Sequence, residues 1–174
     1  MKKKTILDLN RPSVEEFRQG DKTPLVLVLD NVRSLNNIGS MFRTSDAFAL
    51  QQIVLCGITA CPPSAEIHKT ALGAEESMDW KWHENTLDAL AELRDEGFTL
   101  CCLEQVEGSV QLQDFAVEPG KRYAVVVGHE VFGVSQEVVD MCDICLEIPQ
   151  RGTKHSLNVA VSAGIALWHF FSHQ

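Results

Sequence analysis

The chain has no apolar run long enough to cross a membrane, no glycine-rich phosphate loop behind its first strand, and no surplus of basic residues. Each absence removes a class of protein. A spanning helix needs about 20 apolar residues, and the longest candidate, Val159–Phe171, falls short. Met1-Lys2-Lys3-Lys4 is basic, but Asp8, Asn10 and Arg11 stand where the apolar core of a leader belongs. No secretory signal is therefore expected, and the expected compartment is cytoplasmic. Where G-x-G-x-x-G would follow the first strand of a dinucleotide-binding fold, the chain reads Asn31-Val32-Arg33-Ser34. No glycine lies in Asn31–Leu35, so a flavodoxin-like binding domain lacks its phosphate-cradling turn as well.

Lys and Arg number 15 against 24 Asp and Glu, a net charge of −9 that argues against a surface coated in nucleic acid. A local basic rim is still open to Lys2–Lys4, Arg11, Arg18, Arg33, Arg43, Lys69, Arg151 and Lys154. Cys142-x-x-Cys145 has metal or redox spacing, but no second Cys/His pair accompanies it. Neighbouring Cys101 and Cys102 sit in an apolar run, where strand geometry sends them to opposite faces. Reduced, buried thiols fit all six cysteines, and no metal site is expected.

What is present reads as one globular domain. The 45% apolar and 22% charged residues match soluble proteins, and a chain of this length buries roughly 70% of its unfolded surface. There is no internal repeat, low-complexity segment or linker. The division expected is an arm with a short helix over 1–23 and a single domain over 24–174.

Ser13-Val14-Glu15-Glu16 is a capping box opening a short helix that Gly20 ends. Pro24–Asp30 is continuously apolar, as a strand buried on both faces of a parallel sheet should be. Asn31–Asn37 reads as a loop, and from Ile38 the positions Ile38, Met41, Phe42, Ser45 and Ala49 follow helical spacing. Arg43 falls off that stripe, free to face a cleft or to pair with Asp46 one turn on. Strands follow at Gln52–Ile58, Met78–His83, Phe98–Leu103, Tyr123–Val127 and Asp143–Ile148. Helices are predicted over 64–72, over Thr86–Glu96, from Ser135 and over Val159–Phe171. Val106–Val117 is polar, shows no clear periodicity and is expected along the ligand side of the sheet. Alternating strands and helices predict an α/β fold with a mainly parallel sheet flanked by helices.

The turns that could hold a ligand come late, after Val127 and Ile148. In an open α/β sheet ligands gather at the carboxyl ends of strands, which predicts a pocket between the 103–106, 128–133 and 148–157 loops. Ser156 is the N-cap candidate for the last helix, whose start offers unpaired N–H groups and the positive end of a dipole. That helix carries Ile165, Leu167, Trp168, Phe170 and Phe171 around its circumference. An apolar outer face on a last helix predicts an interface, hence a homodimer, the alternative being a helix sandwiched within one subunit.

Three ordered stretches carry a resemblance. Asn31–Thr44 contains Asn37 and, six residues on, Arg43; Val125–Ser135 contains Gly128-His129-Glu130; Ile148–Asn158 ends in Ser156-Leu157-Asn158. Together they resemble the motifs of the SpoU (TrmH-like) branch of the SPOUT RNA methyltransferases, over roughly residues 24 to 172. The resemblance implies a C-terminal trefoil knot, a rare exception to unknotted topology. It implies methyl transfer from S-adenosyl-L-methionine to a ribose 2′-hydroxyl, with Asn37, Arg43, Glu130, Ser156 and Asn158 around the reaction. Leu103, Gly128, Ile148, Ser156 and Leu157 would hold the cofactor. Arg43 suits bidentate anchoring of an RNA phosphate better than proton abstraction, because a guanidinium stays charged. Asn37 would orient Arg43 or the ribose. Glu130 would position the loop or the RNA, or be satisfied by the N–H groups of the Gly133–Ser135 turn. The implied partner is RNA, tRNA ahead of rRNA since only short extensions flank the domain, and the implied dimer sets one Arg43 near the partner's cofactor.

Leu35-Asn36 departs from the usual pattern, so substrate contacts can differ there, while Ala160 removes one supporting hydroxyl and His129 stands where Asn or another small polar residue is common. Competing readings are a SPOUT enzyme acting on a base nitrogen and a catalytically silent RNA-binding module of the same fold. Retention of Asn37, Arg43, Ser156 and Asn158 together argues against the silent module.

Overall fold

Thr23–Asp30 forms β1, near the middle of a sheet whose strands are all parallel. In the computed structural model, which describes residues 1–5 and 7–174, α1 (Val14–Gln19) precedes it with the expected Ser13/Glu16 capping box. Then come α2 (Leu35–Ala47), β2 (Leu50–Cys56), α3 (Ala65–Ala71), α4 (Ala74–Ser77), β3 (Trp80–His83), α5 (Thr86–Asp95) and β4 (Thr99–Leu103). The chain continues through β5 (Val110–Gln111), β6 (Tyr123–Val127), α6 (Gln136–Met141), β7 (Ile144–Glu147) and α7 (Val159–Ser172). The sheet order is β3-β2-β1-β6-β4-β7-β5.

Alternation along β1 divides the core. Leu25, Leu27 and Leu29 pack with Ile38, Met41 and Phe42 of α2 and with Ala163, Leu167 and Phe170 of α7. Val26 and Val28 point the other way, towards Ala89, Leu90 and Leu93 of α5 and Val138 of α6. Both faces of the sheet are thus covered by helices, which is why β1 and β6 are apolar without a break. The register pairs Leu29 with Val127 and Cys102 with Cys145, so the carboxyl ends of β1, β6, β4 and β7 finish side by side.

Three elements depart from the sequence reading by more than a shift of two residues at an end. Leu35–Asn37 is helical rather than loop, because Ser34 Oγ accepts from Asn37 N–H and starts α2 early. Val106–Val117 does not run along the cleft described below; it supplies β5, which pairs Val110 with Leu146 at the sheet edge. Helix α4 follows α3 beyond the single helix expected over 64–72. All six cysteines are free. Burial pushes the Cys56 thiol up to about 12 and raises that of Cys101 further, so neither ionises near neutrality. No helix among the described residues is long and apolar enough to cross a membrane.

Candidate active site

The loops leaving β4, β6 and β7 enclose a cleft of about 610 Å³ together with the start of α7. Leu103, Gly128, Ile148, Ser156 and Leu157, the five residues expected around a cofactor, all line it. The Gln105 amide donates to the carbonyl of His155 at 2.8 Å and ties the first of these loops to the last. Leucine and isoleucine side chains give apolar walls, while Ser156, Gln105 and loop backbone give a few polar edges, the mixture a small-molecule site needs.

The turn after β6 is held from several sides. His129 and Gly133 exchange backbone hydrogen bonds at 3.0 and 2.8 Å. Gly133 has φ +69°, in the left-handed region, and a Cβ there would lie 2.2 Å from Glu104 Oε2. That same Glu104 oxygen accepts from Val134 N–H at 2.9 Å. At Gly128 an added Cβ would meet the backbone of Gly133 and Val134 at 2.3 Å. The glycine is therefore required by the turn itself. His129 Nδ1 accepts from Val131 N–H at 3.0 Å, which makes this ring a cap on the turn with its proton on Nε2.

Glu130 does not take the N–H groups of the Gly133–Ser135 turn, contrary to one of the two sequence readings. Glu104 holds that of Val134, and buried Asp30 that of Ser135 at 3.2 Å. Glu130 instead reaches across to the β1–α2 junction. Its Oε2 accepts from Arg33 N–H at 3.0 Å, and its Oε1 from Ser34 N–H and the Asn37 amide, both at 2.9 Å. Burial pushes this carboxyl up, but the Asn37 and backbone hydrogen bonds together outweigh it, leaving it below the ordinary glutamate range. At neutral pH it is a fixed anion.

Asn37 Oδ1 in turn accepts from Asn158 Nδ2 at 3.0 Å. Asn158, not Ser156, caps α7: its Oδ1 accepts from Ala160 and Val161 N–H at 2.9 and 3.3 Å. Ser156 stays outside the helix, exposed on the cleft wall. Three expected residues, Asn37, Glu130 and Asn158, thus form one hydrogen-bonded chain, and Ser156 stands beside it.

Arg43 does not join them. It lies about 9 Å along α2 from Asn37 and about a third of a turn round, exposed and outside the cleft lining. The Asn37 amide is committed to Glu130 and Asn158, so it does not orient Arg43. Nor does Arg43 pair with Asp46, which accepts from Ser77 Oγ at 2.6 Å; among the described residues Arg43 forms no ion pair. Sequence reasoning missed Glu104 and Asp30. The available signal was an acid closing each of two apolar strands. The one His/Cys/carboxylate grouping with metal-like spacing among the described residues is His68, Glu75 and Glu76, on α3 and α4 and outside the cleft lining.

The family model described as the SpoU rRNA Methylase family matches residues 24–168. A 23S rRNA (guanosine-2′-O-)-methyltransferase of Nitrosomonas europaea is 33% identical over 160 residues, covering 91% of this chain and 60% of that protein. The AdoMet-bound rRNA methyltransferase of Sinorhizobium meliloti superposes with a TM-score of 0.81 at 28% identity, over 90% of this chain and 60% of that one. The A. aeolicus TrmH/SpoU tRNA modifying enzyme also gives 0.81, at 24% identity over 92% and 81% of the two chains, a likeness of fold. The chain spans about three fifths of the first two relatives' length.

Proposed function

The chain belongs to the SpoU rRNA methylase family, and from that membership we propose that it transfers a methyl group from S-adenosyl-L-methionine to a ribose 2′-hydroxyl of RNA. The observation that carries the proposal is the Glu130–Asn37–Asn158 chain, which joins the β1–α2 junction, the turn after β6 and the start of α7 at the cleft. S-adenosyl-L-methionine supplies a methyl already activated on a sulfonium. The protein's work is then to hold donor and acceptor in line, which positioning alone can advance by several kcal/mol.

Leu103, Ile148 and Leu157 wall the adenosine, and the Gly128 backbone, fixed against Gly133 and Val134, sets the depth of the pocket. Glu130, already anionic and engaged with three donors, positions Asn37 and the β1–α2 junction and moves no proton. Ser156, with its hydroxyl uncommitted as a cap, and Asn158 face the ribose. Arg43 anchors an RNA phosphate through its guanidinium fork.

That role needs Arg43 to reach a cleft other than its own, so the functional unit is a homodimer. On α7, Val161, Ile165, Trp168 and Phe171 are exposed, and Phe48 stacks on Phe171 at 5.1 Å to extend the patch. Thr44, the neighbour of Arg43, lies 3.8 Å from where a Cβ on Gly164 would be, so α2 and α7 present one continuous face. Pairing through that face carries one protomer's Arg43 towards its partner's cleft. The same reading takes 24–174 as one domain with 1–23 as its arm, and makes the C-terminal part a trefoil knot. In favour of the knot, α7 leaves β7 beyond β4 yet packs back on β6 and β1, with Gln105 bound to the loop it crosses.

The acceptor is a structured RNA. The sequence reading favours tRNA, while the 33% identical relative acts on 23S rRNA. Nucleoside mass spectrometry of tRNA and rRNA from a strain lacking the gene tests the proposal: one 2′-O-methyl nucleoside should be missing from one of the two pools. Unchanged profiles in both would contradict it.

A further inference from the structure

We propose that the outer face of the Phe132 ring is a stacking site for a nucleobase of the RNA, next to the ribose that receives the methyl group. This rests on the reading of the adjoining cleft as the methyl-donor site. Val131 and Phe132, successive residues at the tip of the turn after β6, are 67% and 83% exposed. A mobile loop could fold such a ring away. This turn cannot, because Gly128 is packed on the Gly133–Val134 backbone, Glu130 is bound to Arg33, Ser34 and Asn37, and Glu104 fills the space beside Gly133.

The ring has a backing. His129 lies against it with centroids 4.8 Å apart and planes at 36°. His129 Nδ1 accepts from the N–H groups of both Val131 and Phe132, at 3.0 and 3.4 Å, so the imidazole is fixed beneath the phenyl ring. His129 thus leans against one side of the ring, and Phe132 stays open at the cleft, which the same turn lines. A fixed, exposed aromatic face suits an unstacked base. A protein partner would need a wider apolar patch than two side chains on a narrow turn. Because stacking accepts any base, this site would hold the nucleotide in place without reading its identity.

Exposure makes substitution at this position safe for folding. Full-length wild type, F132A and F132W are titrated with a fluorescein-labelled single-stranded oligoribonucleotide of mixed sequence and, separately by calorimetry, with S-adenosyl-homocysteine. F132A should weaken the oligoribonucleotide on the order of tenfold or more and F132W by no more than about threefold, with S-adenosyl-homocysteine affinity equal in all three. Equal RNA affinity in wild type and F132A, or no RNA binding by wild type, overturns the proposal. So does a loss of S-adenosyl-homocysteine affinity in F132A, which would make the ring a lid on the adenosine, or a change in its sedimentation, which would make it a subunit contact. Failure of wild type to bind S-adenosyl-homocysteine would instead count against the methyl-donor reading, while the RNA titration still decides the role of Phe132.

Discussion

Asn37 and Asn158, 121 positions apart, are joined amide to amide: Asn158 Nδ2 donates to Asn37 Oδ1 at 3.0 Å. The sense of both amides is dictated by their other partners. Glu130 can only accept, so Asn37 must turn its NH₂ towards that carboxylate. The first N–H groups of α7 can only donate, so Asn158 must turn its oxygen to them. What is left on each amide matches the other.

This relationship predicts the effect of removing its anchor. Glu130→Ala strips the acceptor from Arg33 N–H, Ser34 N–H and the Asn37 amide at once. Stability should fall by about 2 kcal/mol, read by urea denaturation, and methyl transfer should fall with it. Asn37→Asp should be worse than Asn37→Ala, because it sets a second carboxylate against Glu130. Equal stability of the two variants would remove the pairing from the account.

The Glu130 carboxyl is held below the ordinary glutamate range, its burial being outweighed by the Asn37 and backbone hydrogen bonds. A depressed folded value means the stabilisation is complete above the unfolded value, about 4.3, and is lost as pH falls through the lower folded value. Unfolding free energies of wild type and Glu130→Gln should therefore differ by a constant amount from neutrality to about pH 5 and converge below about 4.3. A gap that widens in acid would contradict the sign.

Gly128→Ala should be nearly as damaging as a larger substitution, because the first carbon already meets backbone at 2.3 Å. The turn must move, costing about 1–3 kcal/mol, and calorimetry should show loss of cofactor affinity. Retained affinity in Gly128→Ala with loss only in Gly128→Val would show instead that the glycine serves the pocket alone.

Much of this was legible in the sequence. The unbroken apolar runs at Leu25–Leu29 and Tyr123–Val127 announce strands covered on both faces, and that is how they lie. Strand ends locate the cleft, since Leu103, Gly128 and Ile148 each follow or close an apolar run. The partners of Glu130 were not legible, because they depend on the parallel register that sets β1 beside β6, and nothing local to 128–135 encodes it. Likewise Ser156 looked like the helix cap; both it and Asn158 are good caps, and the Asn37 contact favours the residue three-dimensional context selects. The pairing of β5 rests on two residues, too few for any periodicity.

Trp168, 56% exposed on α7, lies at the centre of the proposed subunit contact. Trp168→Glu should convert a dimer into a monomer of 19.3 kDa by sedimentation and abolish transfer without unfolding the chain. Mixing an Arg43→Ala chain with one disabled at Gly128 should restore activity through mixed dimers carrying one intact site. Absence of restoration would assign the whole site to one protomer.

The most direct test of the central claim is incubation of purified protein with isotopically labelled S-adenosyl-L-methionine and RNA from the deletion strain, followed by digestion and nucleoside mass spectrometry. Wild type should place the label on a single ribose 2′-oxygen, and Arg43→Ala should lower that transfer by orders of magnitude while cofactor affinity stays unchanged. Label on a base nitrogen, or no labelled nucleoside at all from protein that binds the cofactor, would contradict the account.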